Sequence, residues 1–124
     1  MAKTGSIPVT LVEKSARAKT AFDNLGFGNA FSDHMLLCDW ADGEWKSPRI
    51  VPREPLKVDP AALGLHYGQS VFEGLKAYRG TADNRIRLFR PDRNAQRLAA
   101  SCSRLCIPAP DPVQLVEWIR SLVA

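Results

Sequence analysis

Two apolar stretches in the first half of the chain flank a short polar turn. The stretches cover residues 34–40 and 45–51, and Asp42 followed by Gly43 lies between them. An Asp-Gly pair suits a tight turn with positive φ angles, so this pattern predicts a β-hairpin. Because prolines in and after the second stretch remove backbone N–H donors, the second strand is expected to be an edge strand or a frayed one.

The middle of the chain predicts a short helix and a second hairpin. Asp59 followed by Pro60 is typical of a helix start, so a short helical segment is expected to begin there. Three further glycines prevent a long regular helix in the segment that follows. Residues 75–80 and 85–90 are predicted strands, and the polar sequence GTADN forms the turn between them.

From residue 92 onwards the apolar positions recur every three or four residues. This spacing predicts an amphipathic helix, which the prolines at positions 108 and 110 stop. The apolar stripe consists of Ala95, Leu98, Ala99, Cys102, Leu105 and Cys106.

Asp111 followed by Pro112 predicts the start of a final helix, in which Gln114 is placed for a capping box. No glycine cap or other closing signal precedes Ala124, so we expect a chain truncated at 124. The predicted buried stripe of this helix consists of Leu115, Ile119 and Leu122.

These elements together predict an α+β fold, in which an antiparallel sheet from the hairpins is packed with helices. The chain has 124 residues, of which 45% are hydrophobic and 24% charged, as in a globular domain or a piece of a larger one. The first twenty residues are basic and rich in Ser and Thr. They predict a poorly ordered N-terminal tail over 1–26, with an organellar transit peptide as the alternative.

The cysteine content argues against a disulfide framework and against zinc. Cys38, Cys102 and Cys106 make an odd number, and the chain has two histidines and no CxxC pair. Buried free thiols in a reducing compartment are the expected state, which predicts a cytoplasmic protein without a metal site.

Positive charge is concentrated between residues 79 and 104, which hold seven arginines and two acids, whereas the net charge of the chain is +4. Arg93, Arg97 and Arg104 fall on one helical face, opposite the apolar stripe. A guanidinium there could hold a phosphate, but only if another domain or subunit covers that face. On this chain alone, a solvated charged face is the better interpretation.

Residues 66–80, HYGQSVFEGLKAYRG, combine three aromatic rings, three glycines and one acid. Rings on a backbone interrupted by glycines can line a small-molecule pocket, but they can equally pack in a core. From the residues alone, a core position is the preferred interpretation for Phe72, and both interpretations stay open for Tyr67.

Four stretches resemble branched-chain-amino-acid aminotransferases in order and spacing. They are FGNAFSDHML (27–36), LHYGQSVFEGLKAYRG (65–80), RIRLFRPDRNAQRL (85–98) and the proline-linked final helix. The resemblance implies that 27–124 is the small N-terminal domain of a two-domain, fold-type IV pyridoxal-phosphate enzyme.

The resemblance also implies an activity and its partners. Such an enzyme transfers the amino group of leucine, isoleucine or valine to 2-oxoglutarate, which yields branched 2-oxo acids and glutamate. The cofactor is pyridoxal 5'-phosphate and the enzyme is a homodimer, with no nucleic-acid or membrane partner. Its implied role is branched-chain amino acid biosynthesis, with catabolic use as the alternative.

The matched motifs imply roles for four residues. Arg97 matches the arginine that grips the cofactor phosphate, whereas Phe27, Tyr67 and Phe72 match rings that line the substrate pocket. Tyr67 tends to serve the neighbouring subunit in this family. No catalytic residue is assigned, because the six lysines of the chain match none of the positions of the family's Schiff-base lysine. The chain alone is therefore expected to be inactive.

Other interpretations remain open at this stage. D-amino-acid aminotransferases and aminodeoxychorismate lyases share the implied fold but lack the combination of FSDHM and FEGLKAYRG. The arginine cluster could belong to a nucleic-acid-binding module, although the chain has no RNP-like strand, helix-turn-helix glycine or zinc knuckle. A standalone interaction domain with a partly apolar surface is the third alternative.

Overall fold

The computed structural model describes residues 7–20, 22 and 25–124. The chain divides into two compact units, Met1–Pro55 and Leu56–Ala124. Strands and helices are both present, so the predicted α+β class is confirmed. No helix within these described ranges is long and apolar enough to cross a membrane.

The regular elements follow one another in a simple order. They are a 3-10 turn at Arg17–Lys19, strands β1 (His34–Ala41) and β2 (Glu44–Pro52), helix α1 (Leu63–His66), strands β3 (Ala77–Arg79) and β4 (Ile86–Leu88), and helices α2 (Pro91–Arg104) and α3 (Pro112–Val123).

The first unit is built on the predicted hairpin. β1 and β2 pair in antiparallel fashion, and Asp42 (φ 52°) and Gly43 (φ 82°) form the turn, which confirms the prediction. Val9 makes a parallel bridge with the buried Ile50 on the free side of β2. β2 is an outer strand of its two-stranded sheet, as predicted, but at Ile50 its free side is paired by a segment distant in sequence.

Part of the expected N-terminal tail, residues 7–20, is described, and it makes hydrogen bonds with the hairpin region. The backbone N–H of Val12 donates to Nε2 of His34 at 3.1 Å. The hydroxyl of Ser15 and the N–H of Ala16 donate to the carboxylate of Asp33, at 2.5 and 2.9 Å. These two donors, the Ser15 hydroxyl first, hold the pKa of Asp33 below its usual value.

The second unit contains the second predicted hairpin and both predicted long helices. β3 and β4 pair in antiparallel fashion and form their own two-stranded sheet, as β1 and β2 do. α2 packs against α3. The start of α3 is confirmed, because Oδ1 of Asp111 accepts a hydrogen bond from the N–H of Gln114 at 2.9 Å.

Helix α2 ends earlier than its apolar stripe predicts. It stops at Arg104, and Cys106 adopts a left-handed backbone conformation (φ 54°). Ala95 and Cys102 are buried. Leu105 and Cys106 are exposed, because they lie beyond the end of the helix and are no longer on its buried face. The prediction of a buried thiol is confirmed for Cys102 and wrong for Cys106.

Two further expectations in this unit are corrected. No helix begins at Asp59. Its carboxylate accepts from the N–H of Ala61 and its carbonyl from Ala62, which closes a single turn before α1 starts at Leu63. In α3 the buried residues are Val116 and Trp118, whereas the stripe of Leu115, Ile119 and Leu122 is half-buried.

Candidate functional site

Arg97 lies in the second turn of α2, on the helix face opposite the buried Ala95 and Cys102. Its side chain is 64% exposed. The sequence placed it on a polar face, and its exposure confirms that placement. An arginine so exposed can meet a ligand that approaches from outside the chain.

Glu73 holds this guanidinium from the segment between α1 and β3. Nε of Arg97 donates to Oε2 of Glu73 at 2.8 Å, and Nη2 donates to Oε1. Nδ2 of Asn94 donates to the same Oε1 at 2.9 Å and to the carbonyl of Gly74 at 2.8 Å. The side chain of Glu73 is only 9% exposed. Two residues of α2 therefore clamp one carboxylate and the backbone beside it.

The electrostatics of this cluster keep Glu73 ionised. Its pKa is held below the usual value of 4.5, first by the hydrogen bonds from Arg97 and then by that from Asn94. A carboxyl whose pKa is depressed on folding stabilises the fold above its unfolded pKa. That contribution is lost as the pH falls through the lower, folded value. The clamp is thus intact at neutral pH.

The predicted role of Arg97 is to bind a phosphate, and this role stays a prediction, although the donors of the guanidinium fit such a group. Arginine has five N–H donors in one plane. Among the described residues, Arg97 bonds Glu73 through Nε and Nη2, which form one edge of the fork. The second edge, formed by Nη1 and Nη2, can donate two parallel hydrogen bonds to an anion.

The two predicted pocket rings of the second unit are largely exposed. Tyr67 is the C-cap of α1, and Gly68 (φ 62°) ends the helix behind it in the left-handed region that glycine tolerates. Phe72 directly precedes Glu73 and is also exposed. The interpretation of Tyr67 and Phe72 as core aromatics is therefore wrong for this chain.

Phe27 belongs to the first unit and is fully exposed. It lies between Gly26 (φ 62°) and Gly28 (φ 75°), so the backbone turns on both sides of the ring. Phe72 is adjacent in sequence to Glu73, whose carboxylate binds Arg97. A common site for these residues with Phe27 and Tyr67 stays a prediction.

The arginine cluster is partly neutralised within the second unit. Four of its seven members form ion pairs: Arg87 with Asp83, Arg90 and Arg93 with Asp92, and Arg97 with Glu73. In the described part of the chain, no group of three or more His, Cys, Asp or Glu side chains could hold a metal ion.

Glu73 is the functional candidate that sequence reasoning missed. It lies 24 residues before Arg97, so no local pattern joins the two. One feature of the sequence could have indicated it: Glu73 is the one acidic residue in the ring-rich segment 66–80. Asn94 and Arg97 are three apart on α2 and so point to the same side of the helix.

The chain is similar in sequence to several known proteins, which share one type of name. No family model matches the chain. It is 52% identical over 103 residues to branched-chain-amino-acid aminotransferase 2 of Bacillus subtilis, and 46% identical over 111 residues to a probable branched-chain-amino-acid aminotransferase of Staphylococcus aureus. It is 41% identical over 118 residues to the cytosolic branched-chain-amino-acid aminotransferase of Saccharomyces cerevisiae.

The matches cover most of this chain but a minor part of each relative. They span 82%, 89% and 94% of the chain in the order given, and 28%, 30% and 31% of the relatives. The chain therefore spans less than a third of the length of the curated relatives it matches. The resemblance inferred from the four sequence motifs is confirmed.

Proposed function

Because this chain is homologous, over most of its length, to branched-chain-amino-acid aminotransferases, we propose that it is the small-domain portion of such an enzyme. The observation that carries the proposal is the 41–52% identity across 82–94% of the chain. The domain would comprise 27–124. The proposed reaction moves the amino group of leucine, isoleucine or valine to 2-oxoglutarate, in the biosynthesis of branched-chain amino acids.

The proposed cofactor is pyridoxal 5'-phosphate, which supplies an electron sink for chemistry at the α-carbon of the amino acid. Arg97 would hold its phosphate through the edge formed by Nη1 and Nη2. The bidentate bonds from Arg97 to Glu73 support this role, since they leave that edge available. The contribution of the chain is binding and orientation, because its six lysines match no position of the family's cofactor-carrying lysine.

The exposed rings would select the substrate side chain. A branched aliphatic group offers no hydrogen bond, so its recognition depends on shape and on rings that exclude water. Each methylene changes binding by about 1–3 kcal/mol, which suits a pocket that accepts all three branched amino acids. Phe27, Tyr67 and Phe72 are proposed for this role, supported by their exposure.

We also propose a cytoplasmic homodimer. The yeast relative is named as cytosolic, and free cysteines are typical of a reducing compartment. The exposed rings on both units supply apolar surface of the kind that other domains or subunits cover.

Donor specificity tests the proposed function in the complete protein that carries this chain. With 2-oxoglutarate as acceptor, we expect glutamate formation from L-leucine, L-isoleucine and L-valine. D-alanine should react about 100-fold more slowly or not at all, because its single methyl group would leave most of the proposed apolar pocket unfilled. The measurement is initial glutamate production with each donor.

The 124-residue chain alone is the control in this assay and is expected to form no glutamate. Preferential turnover of D-alanine would assign the protein to D-amino-acid aminotransferases instead. Failure to use any branched donor would contradict the proposal outright.

A further inference from the structure

Glu73 is an unusual residue in its surroundings. It is a carboxylate with 9% side-chain exposure in a segment whose neighbouring rings are exposed. Removing a carboxylate from water is costly unless hydrogen bonds replace the lost solvation. Arg97 and Asn94 supply those bonds, three in number, and all come from α2.

The geometry of the Glu73–Arg97 contact restricts the guanidinium in a way that a single bond would not. Two parallel bonds from Nε and Nη2 fix the plane of the guanidinium as well as its distance from the carboxylate. An arginine side chain has many rotamers, and a planar fork that is already fixed loses less freedom when it binds a second group. The carboxylate therefore selects one orientation of Arg97.

Arg93 provides the contrast on the same helix face. Its Nε lies 3.8 Å from Oδ2 of Asp92, and its Nη1 donates to Oε1 of Gln96 at 3.3 Å. Both contacts are long and use separate partners. Of the two arginines, Arg97 is the one whose guanidinium plane is set by a bidentate carboxylate.

We propose that Glu73 is a positioning residue, which orients Arg97 so that its Nη1 and Nη2 edge meets the phosphate of the cofactor. The inference rests on the proposed function, because it presupposes that Arg97 binds that phosphate. In this role Glu73 acts through Arg97 and not by its own contact with cofactor or substrate. Asn94 assists by holding Oε1 of Glu73 and the carbonyl of Gly74 in place.

Two effects of Glu73 on an anion have opposite signs, which makes the proposal testable. Its orienting effect favours phosphate binding, whereas its negative charge repels the phosphate. If orientation dominates, loss of the carboxylate weakens phosphate binding. If repulsion dominates, loss of the carboxylate strengthens it.

The test compares two ligands in the complete protein that carries this chain. Glu73→Gln keeps the size of the side chain but cannot accept from both nitrogens of the fork. We expect its dissociation constant for pyridoxal phosphate to rise about fivefold, in line with the cost of ordering a flexible side chain. The dissociation constant for pyridoxal, which lacks the phosphate, should not change. Equilibrium fluorescence titration measures both.

Two further variants complete the design. Glu117→Gln is the matched control, because Glu117 also pairs with an arginine, Arg120 of α3, at 2.7 Å on an exposed surface. It should leave both dissociation constants unchanged. In an Arg97→Ala background, Glu73→Gln should cause no additional loss, because a positioning residue has no effect without the group that it positions.

The outcomes separate the inference from the proposed function. If Glu73→Gln weakened the binding of pyridoxal and of pyridoxal phosphate equally, Glu73 would have only a structural role. This result would overturn the inference. Unchanged or tighter binding of pyridoxal phosphate would overturn it as well. In both cases a loss of pyridoxal phosphate binding in Arg97→Ala would leave the role of Arg97 standing. If Arg97→Ala bound pyridoxal phosphate normally, the role of Arg97 would fail and the inference with it.

Discussion

Replacing Arg97 with alanine is expected to weaken the retention of pyridoxal phosphate on the order of 100-fold in the complete protein. A charged pair that is desolvated by a covering domain loses this much when one partner is truncated. Dialysis of the loaded protein, followed by absorbance of the released cofactor, measures the loss. The fold should be kept, because the side chain is exposed and lies opposite the buried face of α2, although the lost bonds to Glu73 lower the free energy of unfolding.

Arg93→Ala is the matched control for this prediction. Arg93 lies one turn earlier on the same exposed face, and its contacts are with Asp92 and Gln96. It should retain the cofactor as the unmodified protein does. If Arg97→Ala and Arg93→Ala released the cofactor equally slowly, Arg97 would be one more member of a solvated charged face.

Replacing Trp118 with alanine is expected to unfold much of the second unit of the 124-residue chain. Trp118 is 6% exposed in α3, which packs against α2. Removal of a buried tryptophan costs about 3–5 kcal/mol, which is a large share of the stability of a small unit. Urea denaturation followed by far-ultraviolet circular dichroism measures the change in the free energy of unfolding.

Val113→Ala serves as the control on the same helix. Val113 is 73% exposed, so its truncation should change the free energy of unfolding by less than about 0.5 kcal/mol. An unfolding midpoint for Trp118→Ala that equals that of Val113→Ala would contradict the packing of α2 on α3 described above.

The parts of the fold that the sequence predicted are those set by local chemistry. Asp42 and Gly43 have positive φ angles, as an Asp-Gly hairpin turn requires. Asp111 caps α3 through the N–H of Gln114 because the two residues are three apart at a helix start. In each case the residues that form the contact are neighbours along the chain.

The errors arose where a competing local contact or a distant segment decided the structure. Asp59 accepts hydrogen bonds from Ala61 and Ala62 and so closes a single turn. It therefore does not cap α1, which begins later in the chain. Val9 pairs with Ile50, and the spacing of prolines in β2 carries no information about that segment.

In the candidate site, too, local features were predicted and contacts between distant segments were not. The helical spacing placed Arg97 on an exposed face, and its role was implied by resemblance. Its partner Glu73 was not predicted, since the contact joins α2 to a segment without regular structure. The exposure of Tyr67 and Phe72 also needed the structure, because apolar rings near glycines suit both a core and a pocket wall.

The most direct test of the account is an experimental structure of the complete protein with pyridoxal phosphate bound. We predict that the Nη1 and Nη2 atoms of Arg97 lie about 3 Å from phosphate oxygens, while Nε still bonds Glu73. A phosphate held by other groups, with the guanidinium of Arg97 directed into solvent, would contradict the account.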